Sequence, residues 1–224
     1  MILVIRGHIR NSFETRELYD LIKELHEMFP DLEIFIHTWN IFANNISWRY
    51  IPINEQNITN EIIYNYFNDL NHLIKQIIID DDTKIDLIGN LCGNMNNGGT
   101  PIIGWKNYWY GKHKIINSIY NKNIDKNKII VNFRFDIMNN SNSLDKQTIV
   151  NFIKNNNKIV FTKNVLIFDD EKHYGIDNIY IGNIETMCKL INKFFYELDD
   201  ILINNNDIKA QEHLVYRVNT ALFD

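Results

Sequence analysis

Three short runs of β-branched and aromatic residues constrain this chain most, because each ends in a cluster of polar side chains. Residues 2–5 lead into Arg6-Gly7-His8-Ile9-Arg10, residues 32–36 into His37-Thr38-Trp39, and residues 129–131 into Asn132-Phe133-Arg134-Phe135-Asp136. Apolar runs of this length read as buried strands. In the third, the pattern changes from continuous apolar to strict alternation. Side chains alternate between the faces of a strand, so Asn132, Arg134 and Asp136 are predicted on one face and Phe133, Phe135 and Ile137 on the other. Taken alone, the stretch also reads as an amphipathic strand with a solvated face. Three polar clusters at three strand ends favour a site, because ligands of open parallel sheets bind outside the carboxyl ends of the strands.

The segments between these runs are helical in period. Asn11 with Glu14 forms a capping box, followed by apolar positions from Phe13 to Phe29 and a stop at Pro30. The result is a strand–helix–strand unit with an expected right-handed crossover. A helix is predicted over 58–74 with Thr59 as cap, a strand over 76–79, a loop over 89–104 and a helix over 105–120. Further on come a short helix at 149–152, strands at 158–161, 164–168 and 179–181, a long helix capped by Asn183, and a last helix over 211–222. Alternating strands and helices predict an α/β fold with a largely parallel sheet. The length suits one domain spanning 1–224.

Composition closes off several functions. A net charge of −5 leaves no basic surplus for a nucleic-acid backbone. No apolar run reaches the length of a membrane span, and the N-terminal residues lack a signal-peptide layout. The two cysteines, Cys92 and Cys188, have no metal-ligand spacing and read as free thiols of a reducing compartment, hence a cytoplasmic protein. Heavy use of Asn, Ile and Lys with little Pro or Ala reflects an AT-rich coding genome, bacterial or viral.

The residue types at the strand ends point to an anion. Arg6, Gly7 and Arg10 fall at the first strand–helix junction, where backbone N–H groups and the helix dipole favour phosphate. Arginine adds a fork that fits phosphate oxygens. One glycine there, rather than GxGxxG, argues against a dinucleotide enzyme or a P-loop NTPase. His37 reads as a core histidine or a pocket residue, and Trp39 as packing or a stacking surface. Asp136 is a candidate for Mg²⁺ or Mn²⁺ or for a sugar hydroxyl. The 80–82 aspartate run is a second acidic candidate, or a solvated turn. Asp177 and Glu212 are late carboxylates near element ends.

In order and spacing, 5–10, 35–39, 129–136, 177–182 with Met187, and 211–214 together resemble small GT-A-like glycosyltransferases of bacterial polysaccharide loci and large DNA viruses. The 129–136 stretch is similar to an R-x-R-x-D strand of such enzymes. The resemblance implies a Rossmann-like GT-A α/β/α sandwich. It also implies transfer of a sugar from a nucleotide sugar to the hydroxyl of a glycan, a lipid-linked sugar or a protein, as in polysaccharide biosynthesis. Donor binding would fall to Arg6, Gly7, Arg10, His37, Trp39, Asn132 and Arg134. Asp136, Asp177 and Glu212 would carry catalysis, with Asp136 as the metal ligand where Mg²⁺ or Mn²⁺ is used. Arg134 stands where the family's D-x-D motif has its first carboxylate, so metal-independent transfer is the other expectation, with arginine neutralising the leaving diphosphate. A non-catalytic nucleotide- or carbohydrate-binding module of the same fold is the alternative function.

Overall fold

The computed structural model describes residues 1–44, 52–95, 99–139, 144–157, 164–168 and 179–223. The strand expected over 158–161 lies outside them.

The first strand, β1 (Ile2–Arg6), lies at the centre of a six-stranded sheet. It pairs in parallel with β2 (Glu33–Trp39) on one side and β6 (Ile129–Arg134) on the other. Outside β2 runs β5 (Ile74–Asp80), also parallel. Beyond β6 the pairing turns antiparallel, through β8 (Ile179–Asn183) to a two-residue edge strand, β7 (Leu166–Ile167). The order is therefore β5-β2-β1-β6-β8-β7, a mainly parallel sheet as predicted. A two-stranded antiparallel ribbon, β3 (Ile41–Ala43) with β4 (Asn54–Asn57), was not foreseen. Four exposed polar residues make up β4, and nothing in them signals a strand.

Helices cover both faces. Against one pack α1 (Glu17–Met28), α2 (Asn60–Phe67) and α4 (Lys146–Asn156), in a core with Leu3, Ile5, Ile34, Ile36, Val131 and Phe133. Against the other pack α3 (Ile102–Tyr120), α5 (Ile184–Asn204) and α6 (Gln211–Phe223), in a core with Ile2, Val4, Phe35, Ile130 and Tyr180. This two-sided burial explains why the central strands read as continuous apolar runs. Two of the three predicted caps are in place: Thr59 accepts a hydrogen bond from the Ile62 amide, and Asn183 from the Thr186 amide at 2.7 Å.

Several boundaries differ from expectation: the helix predicted over 58–74 is α2 followed by a 3₁₀ turn at Asn68–Leu73, that over 105–120 begins at Ile102, that at 149–152 spans Lys146–Asn156, and three further differences bear on the site. The first helix starts at Glu17, not at Asn11. Phe13 stacks on Tyr66 at 3.9 Å and packs edge-on against Phe135, so this aromatic contact holds 11–16 in turns instead of a first helical turn. The β2 strand continues through His37 and Trp39, because both side chains are buried and the ladder with β5 runs on to Asp80. The β6 strand stops at Arg134, and 135–139 form a turn. Even so, Phe135 and Ile137 enter the first core while Asp136 turns back to Arg134, so the predicted two-sided pattern outlasts the strand.

One close approach fixes α3 on the sheet. A Cβ on Gly111 would lie 2.8 Å from both Cε1 and Nδ1 of the buried His37 ring. Gly111→Ala is expected to cost about 1–3 kcal/mol of unfolding free energy in urea titration, as overpacking does. Combining it with His37→Ala should recover part of that loss. Purely additive losses would show that the two residues do not meet.

Candidate active site

The parallel register sets the site. Arg6 lies opposite His37 on one side and Arg134 on the other, so these three form one row across the carboxyl ends of β2, β1 and β6. Asn132 lies opposite Val4 and Tyr180, one step below the row on the same face. The loop after β1 is tied down at both ends. The Gly7 amide donates to the His37 carbonyl at 3.1 Å, and the Thr38 hydroxyl donates to the Gly7 carbonyl at 3.0 Å. Gly7 has φ +93°, a conformation glycine adopts without strain. Arg10 is held at φ +54°, where a non-glycine residue is strained, and its amide donates to the Phe42 carbonyl.

Arg10 and Arg134 converge on Asp136. Arg134 grips the carboxylate with both arms of its fork, Nε to Oδ1 at 2.7 Å and Nη2 to Oδ2 at 2.8 Å. Arg10 Nη1 donates to Oδ2 at 2.5 Å. Asp136 is 1% exposed, whereas the two arginine side chains keep about a fifth of their surface open. Burial pushes the Asp136 pKa up, but the charges of Arg134 and Arg10, the Arg134 hydrogen bonds and the nearby Arg6 outweigh it, and the carboxyl titrates at about 2. His8 lies in the same field. Burial first, and Arg10 second, lower its pKa to about 3, so its imidazole is neutral.

Arg6 is 2% exposed and lies behind this pair. Its Nε donates to Asn132 Oδ1 at 3.0 Å and its Nη2 to the Tyr108 hydroxyl at 2.9 Å, and the guanidinium rests 4.1 Å from the Tyr108 ring centre. Tyr108 meets Tyr180 hydroxyl to hydroxyl at 3.0 Å. The ammonium of Lys112, one helical turn after Tyr108, lies over the rings of Tyr180, Tyr108 and Trp109. A second layer of cations and aromatic rings thus backs the first.

His37 is fully buried, and its Nε2 meets Asp80 Oδ2 at 3.2 Å. Burial lowers the His37 pKa, and its hydrogen bond lowers that of Asp80. A neutral ring must therefore carry its proton on Nε2 to donate to the carboxylate. Trp39 packs edge-on to His37 and beside Tyr110. The aspartate run divides: Asp80 belongs to this cluster, while Asp81 holds a turn through Thr83 and Lys84.

The structure thus brings together Arg6, Gly7, Arg10, His37, Asn132, Arg134 and Asp136, with Trp39 beside His37. Glu212 lies in the first turn of α6. Asp177 lies outside the described residues. Sequence reasoning passed over His8, Tyr108, Tyr110, Gly111, Lys112 and Tyr180 as site components, and held Asp80 only as one of an acidic run. Tyr108 and Lys112, four apart on one helix face, carried the one usable signal. The donor set at Asp136 does not suit Mg²⁺ or Mn²⁺. Both oxygens accept guanidinium N–H groups, and no group of three metal-ligating side chains occurs among the described residues.

No protein-family model matches the chain, and no curated protein matches it in sequence. Two solved structures of LgtC align with its whole length. One is an active-site mutant, at 11% identity, and the other is a galactosyltransferase complex with donor and acceptor sugar analogs, at 12%. Each alignment has a TM-score of 0.50 and covers 70% of the LgtC chain. At such identity the likeness speaks to fold: this chain has a GT-A glycosyltransferase fold, a Rossmann-like α/β/α sandwich.

The depressed pKa values set an acid limb. Between its folded value near 3 and the usual value of about 6.5, His8 binds fewer protons in the native state than in the unfolded one. Asp136 does the same between about 2 and the usual carboxylate value. Both contributions are present at neutral pH and lost on acidification, that of His8 from about pH 6.5 and that of Asp136 from about pH 5. Urea titrations across this range should give falling stability. His8→Asn should flatten the upper part of the limb and Asp136→Asn the lower. A stability independent of pH above the carboxylate range would contradict the assignment of His8.

Proposed function

We propose that residues 1–224 act as one glycosyltransferase domain that moves a sugar from a nucleotide sugar to an acceptor hydroxyl. The observation that carries this reading is the convergence of Arg10 and Arg134, backed by Arg6, at the carboxyl edge of a GT-A sheet. Guanidinium forks there suit the diphosphate of an activated sugar. In transfer, the bond between the anomeric carbon and the diphosphate oxygen breaks, and its electron pair leaves with the diphosphate. The acceptor oxygen forms the new bond and gives its proton to a base. Arg10 and Arg134 would stabilise the charge that grows on the leaving group, and Arg6 would add to the field from behind. His37 would keep Asp80 oriented beside Trp39 and Tyr110, where a sugar or base can stack. Asn132 would hold Arg6 in register. Asp177 or Glu212 is proposed as the base on the acceptor.

The alternative is a binding module of the same fold. It draws support from the full engagement of Asp136 with its arginines, which leaves the base to be found elsewhere. Incubation with labelled nucleotide sugars and hydroxyl acceptors separates the two. Transfer or hydrolysis is expected, together with a rise in melting temperature from ligand binding. Arg134→Ala and Arg10→Ala should each lower turnover by about 10²-fold or more, with circular dichroism unchanged. Binding without turnover would favour the module. Absence of both binding and turnover with every nucleotide sugar would refute the nucleotide-sugar reading.

A further inference from the structure

We infer that a strip of aromatic rings, running from Trp39 through Tyr110 and Phe195 to Tyr196, is the acceptor site, and that the acceptor it takes is a glycan chain. The inference rests on the nucleotide-sugar reading above and chooses among the hydroxyl acceptors which that reading leaves open. Consecutive rings lie within contact range along the whole strip. Trp39 and Tyr110 stack at 6.0 Å between ring centres, Tyr110 and Phe195 meet at 6.3 Å, and Phe195 and Tyr196 at 4.9 Å. His113 lies flat on Phe195 at 3.7 Å and edge-on to Tyr196 at 5.3 Å, which widens the outer end. Solvent access grows in the same direction. Trp39 is 4% exposed, Tyr110 and Phe195 are half-buried, and Tyr196 is 56% exposed. The inner end lies beside the His37–Asp80 pair at the carboxyl edge of the sheet, so the strip leads from the proposed donor site to open surface.

The chemistry of the strip selects its occupant. A sugar ring presents a C–H face that packs on an aromatic ring, and hydroxyls that need hydrogen-bonding neighbours around it. Both are supplied. Asp80, with 20% of its side chain open, flanks the inner end, and the Lys114 ammonium lies 5.8 Å from the Tyr110 ring centre. His113 Nδ1 meets Asn192 Oδ1 at 2.9 Å midway, and the Lys193–Glu197 ion pair brackets Tyr196 on α5. Beside Phe195 the surface dips into a shallow depression whose wall includes Leu87, Ile88 and Leu198. A protein partner would be met by a patch depleted in charge at its centre, and an anionic membrane by an excess of lysine and arginine. Here lysines and carboxylates alternate beside the rings, an arrangement that suits a polar, uncharged chain with apolar ring faces.

The test is calorimetric titration of the full chain with mono- to hexasaccharides of glucose, mannose, galactose and N-acetylglucosamine, alone and with nucleoside diphosphates present. At least one series should bind, its affinity rising about tenfold or more from the mono- to the trisaccharide as further rings are covered. Tyr196→Ala should weaken the longer members of that series by about threefold to tenfold and Tyr196→Phe far less, while nucleoside-diphosphate affinity stays the same in both. With the same glycan as acceptor, Tyr196→Ala should raise the acceptor KM more than it lowers kcat, because the ring holds ground and transition states alike. Absence of glycan binding, affinity that does not grow with chain length, or equal affinity in Tyr196→Ala would overturn the inference and leave the glycosyltransferase reading standing. So would a dimer in sedimentation that Tyr196→Ala dissolves, since a second copy would then cover the strip. Failure of every nucleotide sugar to bind or react, with glycan binding retained, would refute the transferase reading and the acceptor role with it.

Discussion

Like charges do not gather at one edge of a protein unless something opposes their repulsion, and at this sheet edge Asp136 opposes it between Arg10 and Arg134. Its carboxylate accepts three hydrogen bonds from two arginines and feels a third arginine across the row. Removing an anion from water is costly, and burial alone would favour the protonated acid. The charges of Arg134 and Arg10, the Arg134 hydrogen bonds and the charge of Arg6 outweigh that penalty and hold the carboxyl pKa down, at about 2. The dependence is mutual: the arginines need the carboxylate to stay close together, and the carboxylate needs them to stay charged. Around this exchange the β1 loop, the end of β6 and the turn after it are held in one arrangement.

The parallel ladder brings the partners together. Arg6 and Arg134 are far apart in sequence yet directly opposite in register, because β6 pairs with β1 rather than with its sequence neighbours. Parallel strands end at the same level, so polar residues that close each run fall into one row. On the helix side, Gly111 lets α3 come within contact distance of the His37 ring, and α3 then delivers Tyr108 and Lys112 beside Arg6. A larger residue at position 111 would push away the helix that walls the site. The fold and the site therefore share one packing constraint.

Much of this was legible in the chain because the signals were local. Apolar runs gave the parallel strands, and Thr59 and Asn183 announced their helices through caps that are present. The alternation at 132–137 placed Arg134 and Asp136 together even though the strand ends before Asp136. What stayed hidden depended on contacts between distant segments. Asn11 carried a valid capping signal, but the stacking of Phe13 on Tyr66 overrode it. Asp80 read as an acidic candidate or as part of a solvated turn, and only the strand pairing shows that it meets His37. The β4 half of the ribbon, all polar and exposed, has no hydrophobic period to betray it.

The backing layer explains why so polar an edge is tolerated. Arg6, Asn132, His37 and Lys112 are nearly excluded from solvent, and burying such groups costs stability unless partners replace the lost water. Most of that replacement is visible: Asn132 and Tyr108 for Arg6, Asp80 for His37, three aromatic faces for Lys112. Some is not, since Asn132 Nδ2, His37 Nδ1 and His8 Nε2 are buried without a hydrogen-bond partner among the described residues. A framework built only for stability would gain by replacing these groups with apolar ones of similar size. Their presence behind the arginine pair, on one face and at one end of the sheet, is the arrangement expected when the field itself is the product. Aromatic and aliphatic walls lower the local dielectric response, so each retained charge acts more strongly on whatever anion meets the open edges of Arg10 and Arg134.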